Sequence, residues 1–244
     1  MPEATFRFYG NLNDFLPPEK RAVSFIHTFT SRATVKDVIE SIGVPHTEVD
    51  LLVAGSDSIA FNHHFQDGAR IAVYPTFRSL DVEALSLVRP PTLGDVRFVL
   101  DTHLGRLAAY LRLAGFDSLY GSDWDDQRLA DIASAEQRIL LTRDSALLKR
   151  SIVSHGYWVR ETSPRRQLAE IANRFDLADR LQPFRRCLRC NALIEPVAKT
   201  KVLDRLPPRT RECYDEFYEC GGCHRVYWKG AHYEDMMAVV DQIR

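Results

Sequence analysis

Three aspartates and two cysteine pairs are the residues of this 244-residue chain whose types and spacing suit chemistry. Asp101 closes the apolar run Phe98-Val99-Leu100, Asp144 follows Ile139-Leu140-Leu141-Thr142, and Asp126 stands between them after Trp124-Asp125. Carboxylates gathered at one place repel each other, and a hard, oxygen-seeking cation relieves that repulsion. Mg²⁺ or Mn²⁺ is the matching choice. Taken singly, each aspartate has a second reading, as a helix cap or a solvated first-turn acid favoured by the helix dipole. Cys187-Leu-Arg-Cys190 and Cys220-Gly-Gly-Cys223 read as the two knuckles of a four-thiolate Zn²⁺ site, closed and therefore structural. The 29 residues between the pairs exceed the common spacing, so further ribbon structure must be inserted there. Cys213 and His224 lack knuckle spacing, and Cys213 reads as a lone thiol.

The elements that must position the aspartates follow from pattern. Short apolar runs alternate with helical ones, which implies a parallel sheet covered by helices. Sites in such sheets lie at the carboxyl ends of the strands, so Asp101 and Asp144 are expected in one crevice. Thr102 is expected to cap a helix through Leu104, Leu107, Ala108, Leu111 and Ala114, stopped by Gly115. Phe116 to Tyr120 reads as a strand, and Asp125 caps a second helix with Asp126 in its first turn, opening near the same edge. Beyond Asp144, a short helix over Ser145 to Leu148 and a strand over His155 to Arg160 are expected. Ser163-Pro164 then opens a helix through Leu168, Ile171, Ala172 and Phe175. Leu193 to Leu203 and Glu216 to Tyr218 read as ribbon strands.

The runs LDTHLGRLAAYLRLAGFD, WDDQRLADIA and ILLTRDSALL, in that order, resemble the PIN-like ribonuclease domain named after the C-terminal part of the Mut-seven exonuclease. The resemblance extends through the cysteines to about the end of the chain. It implies a metal-dependent ribonuclease hydrolysing RNA phosphodiester bonds, with Asp101, Asp126 and Asp144 at the acidic positions. No fourth acid stands at a motif position, since Glu161 lies beyond the following strand, so one or two catalytic metals both remain open.

Residues 1–80 read as strand (Thr5 to Tyr9), strand (Ala22 to Phe29), helix (Thr34 to Ile42) and strands at Val49 to Val53, Ile59 to Phe61 and Ala69 to Tyr74. That is a β-grasp order. FRFYGNLNDFL and FQDGARIAVYPTF resemble the ubiquitin-like sulfur carriers, and such a domain precedes the nuclease in some members of the same family. Carriers end in an exposed Gly-Gly tail, whereas Tyr74-Pro75-Thr76-Phe77 runs straight on, which argues against carrier chemistry. His63-His64 have no other ligand nearby in sequence and read as a pair without chemistry. The expected fold class is α/β: a β-grasp ubiquitin-like domain over 1–80, a linker drawn at 81–95 within the Pro- and Gly-bearing stretch Ser79 to Asp95, a PIN-like domain over 96–184 and a zinc ribbon over 185–244.

Composition sets the remaining bounds. Hydrophobic residues make up 45% and charged residues 27%, an ordinary globular balance. No apolar run reaches the roughly 18 residues of a membrane span, and no signal pattern opens the chain, so a cytoplasmic location is expected. Net charge is −1, but residues 97–186 hold 15 Lys and Arg against 12 acids, while residues 1–96 hold 8 against 12. Positive charge therefore gathers around the acidic site, with Arg106, Arg143 and Lys149 the expected RNA contacts and Arg112, Arg150, Arg165 and Arg166 further candidates. Tyr227, Trp228, Lys229 and His232 stand close together, suited either to stacking on unpaired bases or to ribbon packing, with packing the reading for Trp228. The rival to the enzyme is an RNA-binding or adaptor protein whose acidic β-grasp unit recruits a protein partner.

Overall fold

The structure is a computed structural model that describes residues 1–30, 32–77 and 80–243. In the first part of the chain the elements are β1 (Glu3–Phe8), β2 (Phe25–Thr28), α1 (Val35–Ile42), β3 (Leu51–Ala54), β4 (Asp57–Ser58) and β5 (Ala69–Tyr74). Next come β6 (Arg97–Leu100), α2 (Gly105–Leu113), β7 (Asp117–Tyr120), α3 (Asp126–Ala135), β8 (Ile139–Thr142), β9 (Gly156–Trp158) and α4 (Pro164–Arg174). The last are β10 (Ile194–Val197), α5 (Lys199–Val202), α6 (Pro208–Cys213), β11 (Phe217–Cys220), β12 (Val226–Tyr227) and α7 (Tyr233–Asp241). Packing separates residues Met1–Gly94 with Asp144–Trp158 from residues Asp95–Arg143 with Val159–Arg244.

In the first unit the strand order is β2-β1-β5-β3-β4, with β1 and β5 parallel and the other pairs antiparallel. This is a β-grasp sheet wrapped on one helix. Strand alternation sends Phe6, Phe8, Ile71 and Val73 to the core, where Val35, Val38 and Ile39 of α1 meet them. A reciprocal capping box starts α1, Thr34 Oγ1 accepting from the Asp37 amide and Asp37 accepting from the Thr34 amide. Gly43, at φ 126°, ends it. The strand expected over Ile59 to Phe61 falls instead at Asp57–Ser58, because the turn at Gly55, φ 62°, folds the chain back so that Asp57 pairs with Ala54 and Ser58 with Val53.

The segment expected as a linker is docked on this unit. Val82 and Val88 are buried, and Arg89 makes a two-pronged bond to the buried Asp50 at 2.7 and 2.6 Å. Ser79, where that stretch was expected to begin, and Arg78 before it lie outside the described residues. Residues 144–158, which the sequence grouped with the nuclease, also pack here: Trp158 N donates to Glu48 Oε1 at 2.7 Å and His46 Nε2 to the Val153 carbonyl at 2.9 Å.

In the second unit β6 pairs in parallel with β7 on one side and β8 on the other. All four residues of β8 and the last three of β6 are buried, the continuous apolar pattern of strands covered on both faces. Thr102 does not cap a helix. Residues Thr102–Leu104 form a 3₁₀ turn, and α2 starts at Gly105, where a Cβ would lie 2.8 Å from the Tyr120 ring. Asp125 caps α3 as expected, accepting from the Arg128 amide at 2.8 Å. The C-terminal ribbon has strand order β10-β11-β12, antiparallel throughout, over a small core of Val202, Leu206 and Phe217. The long strand expected over Leu193 to Leu203 stops at Val197, and Lys199 begins α5. Helices α6 and α7 were not anticipated.

Candidate active site and metal centre

Parallel register sets the acidic site. Leu100 pairs with Leu141, so Asp101 and Thr142, the next residue on each strand, emerge side by side at the carboxyl edge. The Asp101 amide donates to the Leu141 carbonyl at 3.1 Å, which extends the ladder to the acid itself. Asp101 is only 8% exposed. Its Oδ2 accepts from Thr142 Oγ1 at 2.8 Å and its Oδ1 from Thr102 Oγ1 at 3.0 Å, while His103 Nδ1 stands 3.6 Å from Oδ1. A carboxylate oxygen only accepts, and among the described residues hydroxyls rather than an arginine or lysine meet the two oxygens of this one. Oxygen donors supported in this way suit a hard divalent cation.

Asp126 is the first residue of α3 and is exposed. Capping falls to Asp125, which leaves the Asp126 carboxylate clear of that duty. It follows β7, whose carboxyl end lies on the same edge as that of β6 because the two strands are parallel. Asp144 is exposed, and its Oδ1 accepts from the Ala146 amide at 2.8 Å across a tight turn. Among the described residues no group of three carboxylates brings ligand atoms within 4.8 Å of one another.

The basic candidates differ in their surroundings. Arg106 is exposed. Arg143 Nη1 donates to the carbonyls of Glu161 at 2.5 Å and Arg160 at 3.3 Å, and Lys149 Nζ donates to the Glu40 carbonyl at 2.8 Å. Arg112 is a correction: it is 5% exposed and bonds inward, to the carbonyls of Ser118, Leu188 and Arg189. It braces a cysteine knuckle and is closed to phosphate. The sequence suggested only a capping role for Thr102 and none for Thr142 or His103. Their signal was the parallel register itself, which places the last residue of ILLT beside the first acid of LDTH.

The four cysteines do converge. The sulfurs of Cys187, Cys190, Cys220 and Cys223 all lie within 4.8 Å of one another, with Cys187–Cys223 at 3.6 Å and Cys190–Cys220 at 3.3 Å. A tetrahedron with metal–sulfur bonds of about 2.3 Å has edges of about 3.8 Å, so the spacing fits one closed four-thiolate metal site. The two knuckles match in backbone. Each ends on a residue in the left-handed region, Asn191 at φ 71° and His224 at φ 56°, whose amide returns to the first cysteine's carbonyl at 3.0 and 3.1 Å. Amides of Cys190, Gly222 and Cys223 point at sulfur, and Tyr227 Oη lies 3.0 Å from Cys187 Sγ. Burial raises the Cys187 thiol, but hydrogen bonds from Tyr227 and the knuckle amides outweigh it and hold it at about 6; burial pushes Cys190 up to about 12. His224 faces Glu219 at 3.4 Å, outside the sulfur cluster, and Cys213 is free and exposed. Neither substitutes as a ligand.

Asn191 and Asp117 tie this centre to the sheet. Asn191 donates to Asp117 Oδ1 at 2.8 Å and accepts from the Ser118 amide at 3.0 Å, and Asp117 also takes Arg138 at 2.6 Å. No described helix is long and apolar enough to cross a membrane.

Compared with known families, residues 96–240 match the model of the Mut7-C RNAse domain, and residues 1–81 match that of the Mut7-C ubiquitin domain. No curated protein and no solved structure matches the chain.

Proposed function

We propose that this chain, which belongs to the Mut7-C RNAse domain family, is a metal-dependent ribonuclease that hydrolyses RNA phosphodiester bonds. The observation that carries the reading is Asp101: a buried carboxylate at the carboxyl end of the central strand, held by two hydroxyls. Bound Mg²⁺ or Mn²⁺ would supply polarisation of the scissile phosphate and a lowered pKa for the attacking water. Asp101 presents fixed lone pairs to the cation, and Asp126 adds negative charge from the start of α3. Asp144 enters as the third acid on its place in the ILLTRD run. Arg106, exposed one turn beyond Asp101, is the foremost phosphate contact, with Arg143 and Lys149 as further RNA contacts. Zn²⁺ on Cys187, Cys190, Cys220 and Cys223 is structural, since four thiolates leave it no open position. Thiols kept reduced for a metal fit the cytoplasm.

A protein partner at the β-grasp unit is favoured by one observation. Ile26, on edge strand β2, is 62% exposed, and an open edge with an apolar residue invites strand addition or docking.

The test uses the full chain with single-stranded RNA and DNA in Mg²⁺, Mn²⁺ or chelator, beside Asp101→Asn, Asp126→Asn and Asp144→Asn. Metal catalysis contributes several kcal/mol, so each variant should lose ~100-fold or more in rate while remaining folded. Three variants that cut RNA like the parent would remove the site from these residues.

A further inference from the structure

A cleft of about 590 Å³ opens in the C-terminal ribbon, between α6, β12 and the start of α7. That volume lies in the range of ligand sites. Besides Tyr227, whose hydroxyl is bonded to Cys187 Sγ, three aromatic residues line it: Tyr214, Trp228 and Tyr233. Each ring is anchored on one side and lines the cleft with another. Trp228 and Tyr214 pack on the small core around Phe217, Trp228 lying 6.5 Å from that ring. Tyr233 stacks on Phe184 at 4.7 Å. Gly230 lets the indole lie close, since a Cβ there would stand 2.7 Å from Trp228 Nε1. Packing, the role read for Trp228 from sequence, therefore uses only part of the indole, which stays half-buried.

The charges around the cleft are mostly spent. Lys229 faces Glu216 at 3.5 Å and His232 faces Asp235 at 4.0 Å. Arg209, exposed on the lining, has no side-chain partner among the described residues. Flat aromatic walls with one uncommitted guanidinium are what a single-stranded nucleic acid needs: a π-face for a base and a cation for the adjoining phosphate. We propose that this cleft stacks an unpaired RNA base on Trp228 while Arg209 meets the neighbouring phosphate. The proposal rests on the ribonuclease reading and adds to it a binding subsite distinct from the acidic edge.

The test takes the zinc-loaded full chain in an Asp101→Asn background, so that the strand survives, and titrates labelled oligo(U) of roughly ten nucleotides, within the usual site size. Trp228→Leu, which keeps apolar bulk but loses the ring, should weaken binding about tenfold or more, and Trp228→Phe less than about threefold. An abasic strand of equal length should bind both chains alike. Arg209→Ala should lower the slope of log affinity against log salt by about one. In the Asp101→Asn chain with Trp228 and Arg209 intact, oligo(U) should also slow alkylation of Cys213, a free thiol on the same lining. This second reading decides the matter should Trp228→Leu lose zinc or melt. Indifference of Trp228→Leu to oligo(U) binding, or of Cys213 to saturating oligo(U), overturns the cleft alone; a cleft made for a protein segment would behave that way. A background chain that binds no RNA overturns both readings.

Discussion

Thr142 Oγ1 donates to Asp101 Oδ2 at 2.8 Å, a bond between residues 41 apart in sequence and side by side on neighbouring parallel strands. It fixes one oxygen of a carboxylate that burial would otherwise penalise, and Thr102 fixes the other at 3.0 Å. The acid is thus oriented before any cation or substrate arrives.

Thr142→Val tests that bond, because it keeps shape and β-propensity while deleting the donor. Leaving Oδ2 unbonded should cost about 1–2 kcal/mol of stability. Cleavage should fall about tenfold, and Thr142→Ser should restore most of both. Melting curves and initial rates for the three chains suffice. A valine variant with parental rate would make the hydroxyl a packing accident.

Much of this was legible because its cause is local. Phe98-Val99-Leu100-Asp101 and Ile139 to Thr142 read as buried strands from apolarity alone, and two CxxC pairs announce a metal site by spacing. Thr34 marks the start of its helix in the same way, while the return bond from Asp37 came only with the structure. What escaped was set by distant contacts. Arg112 has the look of a surface cation in a helix, and only the fold brings the Leu188 and Arg189 carbonyls to it. Pro196 and the lysines at 199 and 201 gave no sign that a strand would turn into α5. Residues 144–158 read as an ordinary short helix followed by a strand, and their grouping with the first unit depends on Glu48 and His46, some 100 positions earlier.

That grouping has a consequence for truncation. A chain that begins at residue 95 keeps residues 144–158 but removes Glu48, His46 and the Glu40 carbonyl that Lys149 uses. It also removes Phe15, whose ring lies 5.0 Å from that of Trp158. The shortened chain should therefore be cut by trypsin at Lys149 or Arg150 at least about tenfold faster than the full chain, as local opening no longer has to break those contacts. Equal protection in both would show that the first unit does not hold the segment.

For the cysteine centre, the purified chain should hold about one zinc, and Cys187→Ser or Cys220→Ser should release it and unfold the ribbon. Cys213→Ser is the control. Its thiol is exposed and outside the cluster, so zinc content should not change and stability should move by less than about 0.5 kcal/mol. Metal analysis and thermal melts read both outcomes. Zinc kept by Cys187→Ser would mean that the four sulfurs do not form one site.

The last expectation concerns acid. Asp117 begins β7 and joins Arg138, Arg186 and Asn191, so it couples the sheet to the knuckle. Burial raises its pKa, but the hydrogen bonds from Arg138 and Asn191 and the charges of Arg138 and Arg186 outweigh that and leave it below the usual carboxylate range. A carboxyl whose folded pKa lies below its unfolded value of about 3.9 stabilises the fold fully above that value and loses this contribution as pH falls through the folded one. Asp117→Asn removes the charge and leaves Arg138, only 6% exposed at its side chain, with the half-exposed Glu136 as its remaining ion pair. Breaking a buried pair from one side costs about 3 kcal/mol, so the variant should melt well below the parent at pH 7. The gap should narrow below about pH 4, where the unfolded parent's carboxylate takes up a proton first and the folded one follows only at lower pH. Melting temperatures from pH 7 to pH 3 test the sign as well as the size: a gap that stays constant, or widens in acid, would mean that the ion pair is not what holds this corner of the sheet.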